Sequence, residues 1–208
     1  EIDGATISAP ADAITLFGGL QGPLTMKDVV AASTATGRCV TMASMAGAAI
    51  SIAGGSFSGK LDYTLHFPNI DSASSVLLSG ATVSSSDRNA VRFFAVAGSV
   101  DISECTLSTA GASASVLYVG GAVTGPMFDV ADTTVTGVGL ALSFVALNGP
   151  VSMKNVAASV AAAGDTPLAI TAITAGALAI SGGSFAGGAG SGVKIPALDS
   201  SSSVSLDG

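Results

Sequence analysis

Along this chain an apolar residue is followed three positions later by a small or slender one, and five positions later by another apolar one. The triplets are Ile2/Ala5/Ile7, Met26/Val29/Ala31, Ile52/Gly55/Phe57, Leu78/Ala81/Val83, Ile102/Cys105/Leu107, Val130/Thr133/Val135, Met153/Val156/Ala158 and Ile180/Gly183/Phe185, and Leu206 opens a ninth. Successive starts lie 23 to 28 residues apart. Each unit then carries a second figure, two apolar residues spaced by one and followed by a third. These are Ile14/Leu16/Leu20, Val40/Met42/Met45, Tyr63/Leu65/Ile70, Val91/Phe93/Val96, Val116/Tyr118/Val123, Leu142/Phe144/Leu147, Leu168/Ile170/Ile173 and Val193/Ile195/Leu198. Spacing by two is the signature of strands with alternate side chains facing inward. Gly, Asp and Ser between the halves supply turn backbone. A unit usually closes on Gly, as at Gly22, Gly47, Gly98, Gly125, Gly149 and Gly176.

The repeat is plainest in two phrases. GPLTMKDVVAAS, from Gly22 to Ser33, returns as GPVSMKNVAAS, from Gly149 to Ser159. Behind them come AGGSFSG, Ala53 to Gly59, and SGGSFAG, Ser181 to Gly187. A fixed period of this length is the mark of stacked repeats. The segments are too short and too β-branched for helical repeats, and no leucine and asparagine ladder is present. About eight coils of ~26 residues, each with several short strands, predict an all-β fold, a parallel β-helix solenoid. Parallel crossovers favour the right-handed form. At ~4.8 Å per coil, eight coils make a rod about 38 Å long. The predicted core runs as stacked columns: Met26, Ile52, Leu78, Ile102, Val130, Met153 and Ile180 in one, with Phe57 and Phe185 in another.

The pattern spans residues 1–208 as a single β-helix domain, uncapped at both ends. Ile2-Asp3-Gly4 and Leu206-Asp207-Gly208 occupy the same phase of the repeat. An open coil offers unpaired backbone groups to another strand. The expectation is therefore a segment of a longer array, or a unit that stacks end to end through Ile2, Ala5 and Ile7 at one end and Val204 and Leu206 at the other.

Composition narrows the function more than the fold. Apolar residues make up 49% of the 208 but are mostly small or aliphatic, and charged residues are only 10%, far below the usual quarter. The net charge of −7 with seven scattered Lys and Arg argues against nucleic acid. No apolar run reaches the ~18 residues of a membrane helix, so no membrane insertion is expected of this segment.

Candidate chemistry is sparse. Gly54 to Lys60 imitates the start of a phosphate-binding loop, but Leu61 stands where Ser or Thr is required and a strand-like run follows. Asp101 and Asp129 fall on outward positions of consecutive coils, weak candidates for Ca²⁺ or an acid pair; solvated turn-side charge is the plainer reading. His66 is the only histidine, which leaves zinc sites and catalytic triads little to work with; it reads as an outward strand residue. Cys105 falls in the small-residue column of the core. Cys39 lies three coils away, on the order of 14 Å along the axis, beyond the ~7 Å reach of a disulfide. Thr15, Thr41 and Thr64 begin an outward threonine column, but Arg92, Leu117, Ser143, Ala169 and Lys194 end it. No cofactor is expected.

Phrases such as GSVDISECTLS and ALAISGGSFAG resemble those of long surface β-helix proteins: the dispersed gene family of kinetoplastid surface proteins, bacterial autotransporter passengers and filamentous adhesins. That resemblance implies an extracellular or cell-surface location, adhesive or structural roles, and no catalytic residues. The reading is a non-enzymatic structural module of a surface filament or stalk, partnered by itself through end-to-end continuation. The alternative is an adhesin or receptor-binding passenger meeting a host or neighbouring cell, with Phe17, Phe94 and Leu117 as outward contacts. A β-helix polysaccharide lyase or hydrolase is a distant third, since the Asn-Thr-Asp, Gly-His-Gly and Arg-Ile-Lys signatures are missing.

Overall fold

The computed structural model describes residues 1–16, 19–42, 44–188 and 190–207. All its regular elements are strands, arranged as a right-handed parallel β-solenoid of about eight coils of ~26 residues each. Three sheets run the length of the rod. The first has nine strands, from Ile2–Asp3 to Ser203–Asp207. The second has eight, from Thr6–Ala9 to Ser184–Ala186. The third also has eight, from Ile14–Leu16 to Val193–Lys194.

The columns of the first two sheets follow the predicted register throughout. Ile2 pairs with Met26, and the ladder continues through Ile52, Leu78, Ile102, Val130, Met153 and Ile180 to Leu206. From Met26 to Ile180 every member is buried, whereas Leu206 is 60% exposed. The second column runs Ile7, Ala31, Phe57, Val83, Leu107, Val135, Ala158, Phe185. Here Phe57 and Phe185 each stack on an alanine, Ala31 and Ala158, so a large ring sits over a small side chain. Phe57 is fully buried, and Phe185 is partly buried in the last strand of its sheet. This large-on-small pairing explains why the two echoed phrases return together: each alanine-bearing coil is followed by its Gly-Gly-Ser-Phe coil.

Between the first and second sheets, every coil turns on a residue in the left-handed region. The series is Gly4, Asp28, Gly54, Gly80, Glu104, Asp132, Asn155 and Gly182, with φ between 47° and 67°. Gly, Asn and Asp tolerate this region best; Glu104 does not share that advantage. In the Gly-Gly coils the next residue is also left-handed, with Gly55 and Gly183 both at φ 81°. The Asn155 Nδ2 donates to Asp132 Oδ1 at 2.9 Å, tying two of these turns together.

The third sheet corrects the predicted register in two coils. Leu65 and Phe67, not Tyr63 and Leu65, align with Val91 and Phe93. Leu117 and Val119, not Val116 and Tyr118, are the next pair up. The physical reason is a corner at which two consecutive residues both face inward: Cys39-Val40, Thr64-Leu65, Ala90-Val91, Val116-Leu117 and Ala141-Leu142 are all buried. Alternation fails there; in the Val116 coil a one-residue slip exchanges inside for outside, while in the Tyr63 coil the shift is two residues, Leu65 stays inward and Tyr63 precedes the strand Leu65–Ile70. Leu117 is thus buried rather than outward, and Thr64 is buried with its hydroxyl donating to the Ser84 carbonyl at 2.7 Å. Bulges between Phe93 and Val96 and between Val119 and Ala122 bend the same sheet.

A run of four buried phenylalanines strengthens the middle of the rod. Phe67 stacks on Phe93 with centroids 4.9 Å apart, and Phe93, Phe128 and Phe144 continue edge to face at 5.7 and 5.4 Å. Such pairs contribute about 0.5–1.5 kcal/mol each beyond area burial.

Two substitutions test this packing by thermal and denaturant unfolding. Ile102→Ala should destabilise by about 2–5 kcal/mol, and Ile102→Asp should break its coil through an unpaired buried charge. An unchanged melting temperature for Ile102→Asp would disprove the register. Gly55→Ala should be worse than Gly80→Ala. A Cβ at Gly55 would lie 2.2 Å from the Val29 carbonyl oxygen and 2.7 Å from its nitrogen, while at Gly80 the nearest atom is 3.9 Å away. Gly80→Ala then costs only the left-handed strain, about 1–2 kcal/mol.

Candidate functional site

The outward column of the third sheet reads Thr15, Thr41, His66, Arg92, Tyr118, Ser143, Ala169, Lys194. His66 and Tyr118 replace Thr64 and Leu117 of the predicted column. The two remaining threonine hydroxyls are turned to one carboxylate, since Thr15 and Thr41 both donate to Asp12 Oδ2, at 3.4 and 3.2 Å. What the column assembles in its middle is a different chemistry. All three arginines of the chain (Arg38, Arg88, Arg92), both tyrosines (Tyr63, Tyr118) and its only histidine gather on neighbouring coils.

The arrangement is built around Tyr63. The Arg92 guanidinium lies 4.3 Å from the centroid of that ring and 5.8 Å from the Tyr118 ring. Arg38 approaches Tyr63 at 5.6 Å. Its Nε donates to Asp62 Oδ2 at 3.0 Å, the one ion pair among the described residues. His66 sits against Tyr63, ring centroids 5.4 Å apart. Its Nδ1 and the Arg92 Nε are buried with no hydrogen-bond partner among the described residues. Burial, then the charges of Arg38 and Arg92, push the His66 pKa down to about 4, so the ring is neutral at neutral pH. Cation–π contact with both tyrosines holds Arg92 in place.

The other predicted candidates are scattered. Asp101 and Asp129 are register partners on the outer face of the first sheet. Burial and then the neighbouring Asp101 raise the Asp129 pKa. Among the described residues no group of three or more His, Cys, Asp or Glu is placed to hold a metal ion. Cys39 and Cys105 are both buried free thiols. Burial raises the Cys39 pKa to about 11 and raises that of Cys105, whose Sγ donates to the Ser103 carbonyl at 3.1 Å. Gly54 to Lys60 forms a turn and the strand Ser56–Gly59, followed by the strand Leu65–Ile70. Of the outward aromatic contacts, Phe94 is 50% exposed and Phe17 lies outside the described residues.

One structural device has a sequence signal that spacing alone did not single out. Asp71 accepts from the Gly47 N–H of the coil below and from the Ser74 hydroxyl. Asp199 repeats this with Ala175 N–H, at 3.1 Å, and the Ser202 hydroxyl. Gly47 and Ala175 are both left-handed, at φ 68° and 55°. The shared phrase, IDSASS at Ile70–Ser75 and LDSSSS at Leu198–Ser203, marks the device. The serine hydroxyls, first among several donors, hold both carboxyls below the usual range.

No known protein family, curated protein or solved structure matches the chain.

The buried imidazole makes stability depend on pH. His66 stays neutral in the fold down to about pH 4, whereas an unfolded chain protonates it near 6.5. The unfolded state therefore binds more protons between those values, and stability should fall as pH drops from about 6.5 towards about 4. Melting temperatures between pH 7 and 5, above the range where the held aspartates titrate, should decline in the native chain. They should decline less in His66→Gln; identical slopes would show that His66 does not titrate as described.

Proposed function

We propose that this chain is a non-enzymatic structural module of an extracellular or cell-surface filament or stalk, extended by adding coil upon coil. The observation that supports this reading is the unbroken first-sheet column, nine strands in register from Ile2 to Leu206. Parallel strands with one open edge accept further strands through their backbone groups. Over the last coil, Ile180, Phe185, Val193 and Leu206 line an open hollow of about 230 Å³ beside Gly182 and Gly183. A further coil laid there would cover those apolar side chains and continue both inner columns. Stability then grows with each neighbour interface, as in other stacked repeats. The acidic exterior would discourage lateral clumping.

Electron microscopy of the native material at decreasing concentration tests the reading. Filaments with an axial repeat near ~4.8 Å that persist on dilution, and that shorten in Leu206→Asp, are expected. Discrete short particles at every concentration would sink the end-to-end reading.

A further inference from the structure

The candidates outside the filament reading are few. Among the described residues the Asp101–Asp129 pair has no third donor, the two thiols are buried, and Phe94 is a single exposed ring. The cluster of arginines and tyrosines is different, because it encloses a hollow. Tyr63, Arg88, Asn89, Arg92, Ser115 and Tyr118 line a space of about 350 Å³ on the outside of the third sheet. A second hollow of about 330 Å³, bounded also by Asp87 and Ala112, shares Arg88 and Ser113 with it. The two form a trough open to solvent.

Charge in this trough is unbalanced. Asp62 is engaged by Arg38, at 3.0 Å. Among the described residues Arg88 and Arg92 meet no carboxylate within ion-pair distance, in a chain with 14 acidic residues and only seven Lys and Arg. Asp87, on the rim beside Arg88, is the nearest acid in the lining. The Arg92 Nε is already desolvated. Guanidinium groups bind planar and tetrahedral oxyanions with paired N–H bonds, and are strongest where a site is partly dry. Arg92 is fixed between two rings, so little side-chain freedom is lost when an anion binds.

The rest of the lining narrows the ligand. A lone inorganic ion is much smaller than the trough. Serines and a buried asparagine, Asn89, leave few apolar surfaces to receive peptide side chains, and suit a chain of hydroxyls. We propose that the Arg88–Arg92 trough binds an acidic oligosaccharide, with its sulfate or carboxylate group seated between the two guanidiniums and its hydroxyls along the serine-lined walls. This inference does not depend on the filament reading, since it concerns one outer face of the rod.

Isothermal titration of the full chain tests it with five probes: a heparin-derived tetrasaccharide, a trigalacturonate, a neutral trisaccharide, an Asp/Glu-rich peptide and inorganic sulfate. Saturable binding of one or both acidic saccharides is expected, and which one binds distinguishes sulfate from carboxylate. Arg88→Gln, at an exposed side chain, and Arg92→Gln should each weaken it by at least about tenfold, the loss of one charge-assisted pair. Lys154→Gln, on the outer face of another sheet, should leave it unchanged, with melting temperatures confirming that each variant folds. Absence of saturable binding to either acidic saccharide would overturn the proposal. So would equal loss in Lys154→Gln, equal affinity for the neutral sugar or for free sulfate, or tighter binding of the acidic peptide.

Discussion

The constraint on which this rod depends is that each coil must return to the same columns after one rise of strand spacing. Backbone hydrogen bonds between coils supply the attraction, but they are indifferent to sequence. What fixes the phase is the turn between the first and second sheets, where each coil places at least one residue in a left-handed conformation. That turn carries the chain from an inward apolar residue to the next inward residue in five positions, whatever happens in the longer segments elsewhere. Coil lengths vary because insertions fall outside it. The cost is borne where the residue is not Gly: Asp28, Glu104, Asp132 and Asn155 all hold positive φ. Asn155 and Asp132 recover part of it through their mutual hydrogen bond.

This explains which parts of the fold could be read from the residues. The Met26-to-Ile180 column and the Ala31–Phe57 column were legible because the turn keeps their spacing rigid. The third sheet was legible only in part. At its leading corner two consecutive residues face inward, as with Val116 and Leu117, and both are apolar. A pattern that assumes strict alternation has no means to choose between them. Tyr63 misleads for another reason: its ring is large and apolar enough to pass for a core residue, although it packs against Arg92 and His66 on the outside.

The same slip concealed the candidate site. In the slipped register Tyr63 and Tyr118 point inward and Leu117 outward, so the arginines have no aromatic partners and the face looks like a broken threonine column. Moving one coil by two residues and the other by one brings Tyr63, Arg92 and Tyr118 onto one surface with the outward His66. Residues about 26 positions apart carry no local motif, and only the stacking order makes them neighbours. For a solenoid, then, register is the step between sequence and chemistry, and its errors are more costly for sites than for folds.

Fold and site also differ in what holds them. The inward columns are required by packing, and an unpaired charge there is expected to break a coil. The outward column of the third sheet carries no such requirement, because its backbone bonds are made whatever the side chain. Arg92 and His66 sit on that column with buried nitrogens unsatisfied among the described residues, and burial disfavours a protonated imidazole beside two guanidiniums. Core packing gains nothing from such an arrangement, since apolar or hydroxyl residues serve the same positions on Thr41 and Ala169. Buried polar groups left without a partner where the scaffold does not need them call for an explanation, and the proposed site offers one. The proposed oligosaccharide site lies on that third sheet, near the phenylalanine-packed middle of the rod.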